Sequence, residues 1–118
     1  MVSTIVCDLQ PDITAVEAIK NTFPMGSMTG APKISMMKLM EQFERSKRGA
    51  YSGALGYFSP DGDFDFNVVI RTLLYNASDK YLSFQVGSAI TYHSVPGNEY
   101  DECLLKAQAI LEALGVCL

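Results

Sequence analysis

What this chain lacks narrows it first. No apolar run approaches the roughly 18 to 20 residues that a membrane-spanning helix needs. The opening MVSTIVCDLQP has neither the basic start nor the apolar stretch of a signal peptide. A cytoplasmic protein without membrane contact is expected. Histidine occurs once, at His93, and the three cysteines, Cys7, Cys103 and Cys117, stand far apart with no CxxC pair. That argues against a zinc site or a disulfide framework, and for reduced thiols that serve as small apolar residues. Basic clusters are lacking too, in a chain of net charge −4, so no nucleic-acid surface is expected. An anionic small molecule would need locally placed Lys or Arg rather than help from the overall field. There is no internal repeat and no low-complexity segment.

What is present has globular composition: 118 residues, 48% hydrophobic, enough for one domain with its own core. The expected class is α+β, a mainly antiparallel sheet with a long central hairpin and packed helices. The hairpin is YSGALGYFSPDGDFDFNVVIRT, residues 51 to 72. Pro60 presets the first turn position, Asp61 tolerates the second and Gly62 supplies the left-handed residue of a three-residue loop with a bulge. Pairing Ser59 with Asp63 then sets Phe58 opposite Phe64, Gly56 opposite Phe66, Ala54 opposite Val68 and Ser52 opposite Ile70, an apolar face. The other face carries Tyr57 across from Asp65, Leu55 from Asn67, Gly53 from Val69 and Tyr51 from Arg71. A two-residue Asp-Gly loop would shift this register by one, separating Tyr51 from Arg71 and setting Phe58 against Asp65. A phenol beside a guanidinium, flanked by Gly53, makes a floor for a planar anion; the plain alternative is two ordinary residues on a solvated sheet face.

Along the rest of the chain, the β-branched run of residues 2 to 9 predicts a strand before Pro11. Thr14 and Glu17 form a capping box ahead of a short helix over about 14 to 22, which Pro24 ends. FPMGSMTGAPK, residues 23 to 33, is too rich in Gly and Pro to be regular. With Gly26, Ser27, Thr29 and Gly30 it offers N–H groups and hydroxyls to an anion, or is a tight connection only. It is not a Walker A loop, since no Ser or Thr follows Lys33. From Lys33 to about Arg45 the spacing of Met36, Leu39, Met40 and Phe43 predicts a helix with those residues as its buried stripe, and Arg45, Lys47, Arg48 and Gly49 suit its end. Asn76 to Lys80 reads as a turn into a third strand, residues 81 to 90, in which Gly87 marks a close approach by backbone or ligand. The last helix runs from about Asn98 to Leu114, with Leu104, Ala107, Leu111 and Leu114 inward and Gly115 as its stop. Glu99 and Glu102 share its first turn, where acidic residues suit the dipole or can hold Mg²⁺. His93 is a candidate base, or simply a loop residue.

Taken together, PMGSMTGAPK, RGAYSGALGYFSPDG, VVIRT and GSAITYHSVPGNEYDECLLKA resemble, in order and over nearly the whole chain, the C-terminal part of the chorismate-binding enzymes. That family includes anthranilate synthase component I, aminodeoxychorismate synthase component I and the isochorismate synthases. The pattern is nearest to the component I enzymes, aminodeoxychorismate synthase first. The resemblance implies a piece of a two-layer α/β fold that binds chorismate and Mg²⁺. It implies that Tyr51 and Arg71 hold the pyruvyl carboxylate, that Gly87, Ser88 and Ala89 present backbone N–H groups to a substrate carboxylate, and that Gly26 and Ser27 line the substrate. It further implies that Glu102 binds the metal with Glu99 beside it, and that a glutamine amidotransferase partner supplies ammonia. Two positions depart from the pattern: Ala89 replaces the second glycine of a Gly-Ala-Gly turn, and His93 replaces an acidic residue. The family's other metal-binding glutamate, catalytic lysine and a histidine belong upstream of Met1. No complete catalytic set is therefore expected here, the 118 residues alone are expected to be inactive, and uncovered sheet edges are expected to draw the chain into a dimer.

Overall fold

Hydrogen bonds between near neighbours in sequence create most of the elements in this computed structural model, which describes residues 4–116. The chain divides into two compact units. One comprises the segment ending at Lys47 together with Tyr57–Asp65, the other Arg48–Gly56 and everything from Phe66 onward.

In the first unit, α1 (Ala15–Thr22) starts where the capping box places it. The Thr14 hydroxyl accepts from the Glu17 N–H at 3.2 Å, while a Glu17 oxygen accepts from the Thr14 N–H at 2.9 Å and from its hydroxyl at 2.8 Å. At the other end Lys33 Nζ donates to the Thr22 carbonyl at 3.1 Å, a cation at the negative end of the helix dipole. The Gly- and Pro-rich segment does contain one regular turn, α2 (Gly26–Thr29), closed by the Gly30 N–H on the Gly26 carbonyl at 2.7 Å. α3 (Lys33–Phe43) ends two residues before the expected Arg45, its last turn closed by the Glu44 N–H on the Met40 carbonyl. Its apolar stripe is half-buried at Met36 and Met40 but exposed at Leu39 and, at 70%, Phe43. Periodicity names the apolar side of a helix; it does not supply the layer that covers it. The expected N-terminal strand does not form over residues 4–10, which are irregular and exposed, and its remaining positions, 2 and 3, lie outside the described residues. Without a neighbouring strand to take its N–H and C=O groups, a β-branched run has no reason to be a strand.

β1 (Ala54–Phe58) and β2 (Phe64–Val68) pair as a two-stranded sheet. At its tip the Gly62 N–H reaches the Ser59 carbonyl at 3.0 Å, the Ser59 N–H reaches the Asp63 carbonyl at 2.8 Å, and Gly62 takes φ +96°. Phe58 and Phe64 face each other with ring centroids 5.7 Å apart. The loop thus sets the register in which Ser59 pairs with Asp63.

In the second unit, β3 (Leu74–Asn76) and β4 (Tyr81–Ser83) make a short antiparallel ladder with Tyr75 opposite Leu82. The third strand therefore stops at Ser83 rather than residue 90, and residues 84–90 are irregular. β3 gave no alternation long enough to read. The intervening turn is fastened by Asn76, whose Oδ1 accepts from the N–H groups of Ser78 at 3.0 Å and Asp79 at 3.3 Å. α4 (Pro96–Ala113) opens with proline at its first position and ends at Gly115, φ +69°. Its inward side is Cys103, Ala107, Ile110 and Leu111; Leu104 and Leu114 are exposed. The helix is thus turned from the predicted stripe, sharing only Ala107 and Leu111 with it. Ala107 and Ile110 are the buried apolar residues among those described. Cys7 and Cys103 are free thiols, whereas Cys117 lies outside the described residues.

The Glu17 carboxyl is held below the usual carboxylate range, first by the Thr14 N–H and then by its hydroxyl. A depressed folded value means that the capping box contributes fully above the unfolded value, about 4.3, and fades as pH falls through the folded one. Amide protection of α1 should therefore drop over that acid window. Glu17→Gln should remove the pH dependence; equal acid sensitivity in both proteins would refute the assignment.

Candidate functional site

The segment that leads into β1 decides where Tyr51 goes. The Tyr51 N–H donates to the Arg48 carbonyl at 3.1 Å and the Gly53 N–H to the Ala50 carbonyl at 3.0 Å, so residues 48–53 are two overlapping turns rather than strand. A Cβ on Gly53 would stand 2.9 Å from the Ala50 carbonyl oxygen, so only glycine fits. Opposite them, Val69 accepts from the Ser52 N–H and donates to the Gly53 carbonyl, both at 2.9 Å. Two residues facing one is a β-bulge, with Ser52 in the left-handed conformation at φ 70°. On the other arm the Ile70 N–H turns back to the Val68 carbonyl at 2.9 Å, and Arg71 is itself left-handed at φ 51°. The ladder therefore ends before the predicted Tyr51–Arg71 pair, and Arg71 is exposed. The guanidinium found beside the Tyr51 ring is that of Arg48, 5.9 Å from its centroid. Arg48 does not end a helix, since α3 stops at Phe43.

From there a chain of contacts runs to α4. A Cβ on Gly87 would lie 2.8 Å from the Tyr51 hydroxyl, so the close approach is by a side chain, not by the backbone or ligand expected from the sequence. The Gly87 carbonyl accepts from Lys106 Nζ at 2.9 Å, and the same ammonium is 2.6 Å from Glu102 Oε1. One residue on, the Ser88 hydroxyl donates to the Glu99 carboxylate. That carboxyl is held below the usual range by Ser88 first, then by the Ser94 hydroxyl and the Lys106 charge, against the opposing effect of desolvation. Ser94 also accepts from the Thr91 N–H at 2.9 Å and reaches the Ala89 carbonyl at 3.5 Å, which folds residues 89–94 into a compact loop. His93 lies at its exposed edge, packed edge-on against Tyr92 with centroids 5.2 Å apart.

The second unit thus gathers Tyr51, Gly87, Ser88, Glu99 and Glu102 into one connected set, with Ala89 in the adjoining loop. Gly26 and Ser27 belong to the first unit, where they open α2. Sequence reading missed Lys106 and Arg48. Lys106 was legible in principle, because it follows Glu102 by one helical turn. Glu99 and Glu102 supply hard oxygen ligands, and Mg²⁺ is ordinarily held by one or two carboxylates with water and substrate completing its shell, so the donor types fit that ion. Among the described residues no three His, Cys, Asp or Glu side chains form a ready-made cage.

Residues 1–112 match the family model described as chorismate binding enzyme. This chain belongs to that family. It is 44% identical to aminodeoxychorismate synthase of Streptomyces pristinaespiralis over 97% of its own length and 16% of that protein's. It is 43% identical to chloroplastic aminodeoxychorismate synthase of Arabidopsis thaliana, over 97% of the chain and 12% of the relative. Against anthranilate synthase component 1 of Lactococcus lactis the figures are 42%, 93% and 24%. The chain therefore spans a quarter or less of these relatives. No described helix is long and apolar enough to cross a membrane.

A methyl group at Gly87 has to displace the Tyr51 phenol. Gly87→Ala should cost about 1–3 kcal/mol by urea denaturation, and Tyr51→Phe on the Gly87→Ala background should restore most of that, because the crowding atom is the hydroxyl oxygen. Simple additivity of the two substitutions would exclude this contact.

Proposed function

We propose that Tyr51, Arg71, Gly87, Ser88 and Ala89 form a wall that receives the carboxylates of chorismate, and that Glu102, with Glu99 beside it, holds Mg²⁺. The observation that carries this reading is the run of contacts Tyr51, Gly87, Lys106, Glu102, which links a phenol, an ammonium and a carboxylate, with the Glu99 carboxylate joined to the neighbouring Ser88. A phenol and a guanidinium both donate to carboxylate, and a guanidinium does so in bidentate fashion. Arg71 is exposed, past the end of the ladder, and its part in this reading rests on the resemblance of VVIRT to the family pattern. Mg²⁺, when bound, would neutralise the ring carboxylate of chorismate and polarise the substrate as a Lewis acid. For Gly26 and Ser27 the proposal is separate: N–H and hydroxyl donors offered to an anion within the first unit.

For the longer proteins in which this region occurs, the reading is amination of chorismate. It is replacement of the C4 hydroxyl by an amino group, toward para-aminobenzoate and folate, with ammonia from a glutamine amidotransferase subunit in the cytoplasm. Similarity to proteins named aminodeoxychorismate synthase supports it. The second reading is amination at C2 followed by loss of pyruvate, and a relative named anthranilate synthase component 1 supports that one. The 118 residues alone do not turn over substrate in either case, and they self-associate through apolar residues that are exposed in the single chain, Phe43 at 70% and Leu55 at 69% among them.

Isothermal titration of the chain with chorismate and Mg²⁺ tests the site. Tyr51→Phe and Arg71→Ala should each weaken binding about ten-fold or more, and Glu102→Gln should abolish the effect of Mg²⁺. Unchanged affinity in all three would remove the reading, and would favour a non-catalytic assembly module. Product analysis of a chain extended upstream, with and without a glutaminase, separates C4 amination from anthranilate formation. Sedimentation should find dimer at high concentration; monomer throughout would refute self-association.

A further inference from the structure

Tyr51 lies outside the ladder, between two turn closures, so backbone pairing does not fix its ring. Side-chain contacts have to do so. We infer that Arg48 is a positioning residue that fixes the Tyr51 phenol against Gly87, by lying over the tyrosine ring while donating to the Ser52 hydroxyl. The functional consequence of this inference, though not the placement itself, rests on the reading of Tyr51 as a substrate contact.

Three observations converge on one guanidinium. Ser52 is the buried polar residue among those described, 8% exposed, and a hydroxyl in that position needs a partner. Arg48 Nη1 supplies it at 3.1 Å. Ser52 also holds the bulge in its left-handed conformation, through its N–H on Val69, so a bond to its hydroxyl braces the backbone at the residue after Tyr51. The guanidinium carbon is meanwhile 5.9 Å from the Tyr51 centroid, inside the range of cation–π attraction. A planar, delocalised cation can stack and donate at once; an ammonium is a compact, strongly hydrated charge and does this poorly. The brace points the phenol oxygen to within 2.8 Å of the Gly87 Cβ position, beside the loop that carries Ser88 and Ala89. Substrate affinity then depends on Arg48 through the tyrosine.

The test uses the whole chain labelled with 3-fluorotyrosine, whose six tyrosines give separate ¹⁹F signals. The Tyr51 signal is the one lost in Tyr51→Phe. Arg48→Lys and the milder Ser52→Ala should each move that signal while the other five stay in place. In titrations with Mg²⁺ and chorismate, Arg48→Lys should weaken binding about ten-fold, and should add nothing further on the Tyr51→Phe background. A stationary Tyr51 signal in both variants overturns the inference, as does a common shift of all six, which would mark a general structural role. A Tyr51 signal that moves alone, with chorismate affinity equal in the wild type, Arg48→Lys and Tyr51→Phe, upholds the placement and overturns the substrate role of Tyr51 instead.

Discussion

The second unit hangs on one ammonium. Lys106 bonds the Gly87 carbonyl at 2.9 Å and Glu102 at 2.6 Å, so an irregular stretch that has no sheet ladder is tied to the first turns of α4. With its side chain 32% exposed, this is not a buried ion pair, and its Coulomb energy in partial contact with water is modest. Its value is positional. An acceptor on residue 87 and a carboxylate on residue 102 are held by the same head group, so the backbone of the loop and the acidic turn of the helix keep a fixed relation. Glu99 repeats the arrangement one turn earlier through the Ser88 hydroxyl. Side chains from α4 thus do for residues 87 and 88 what a neighbouring strand would otherwise do.

Such local fastenings matter more here than in a domain with a thick core. Only Ala107 and Ile110 are buried apolar residues among those described, while Ile5, Phe43 and Tyr92 are 91%, 70% and 97% exposed. Hydrophobic burial is the largest favourable term in folding, and with so little of it the capping box of α1, the Asn76 turn and the Ser59–Asp63 loop carry unusual weight.

What the sequence made legible follows the same division. The capping box, the Pro60-Asp61-Gly62 loop and its register and the stop at Gly115 were all readable, because each depends on a few adjacent residues; crowding at Gly87 was readable too, but not that a side chain, Tyr51, causes it. Features that depend on distant partners were not. Residues 4–10 look like a strand by composition but are irregular. The inward side of α4 is set by what it packs on, so Ile110 is buried where Leu104 was expected. The Tyr51–Arg71 pair failed for a third reason. Counting residues outward from the loop assumes one partner per residue, and Ser52 breaks the count. Arg48, dismissed as helix-ending charge, consequently stands where Arg71 was placed.

That extra residue has an evolutionary side. An arm of the hairpin that is one residue longer than its mate is sensitive to length as well as to identity. Removing Ser52 would take away the residue that lets two positions face Val69, and with it the turn geometry that carries Tyr51 outside the ladder. Single-codon deletions in this stretch should therefore be far scarcer among viable homologues than exchanges of Ser52 for glycine or asparagine, which keep the left-handed backbone.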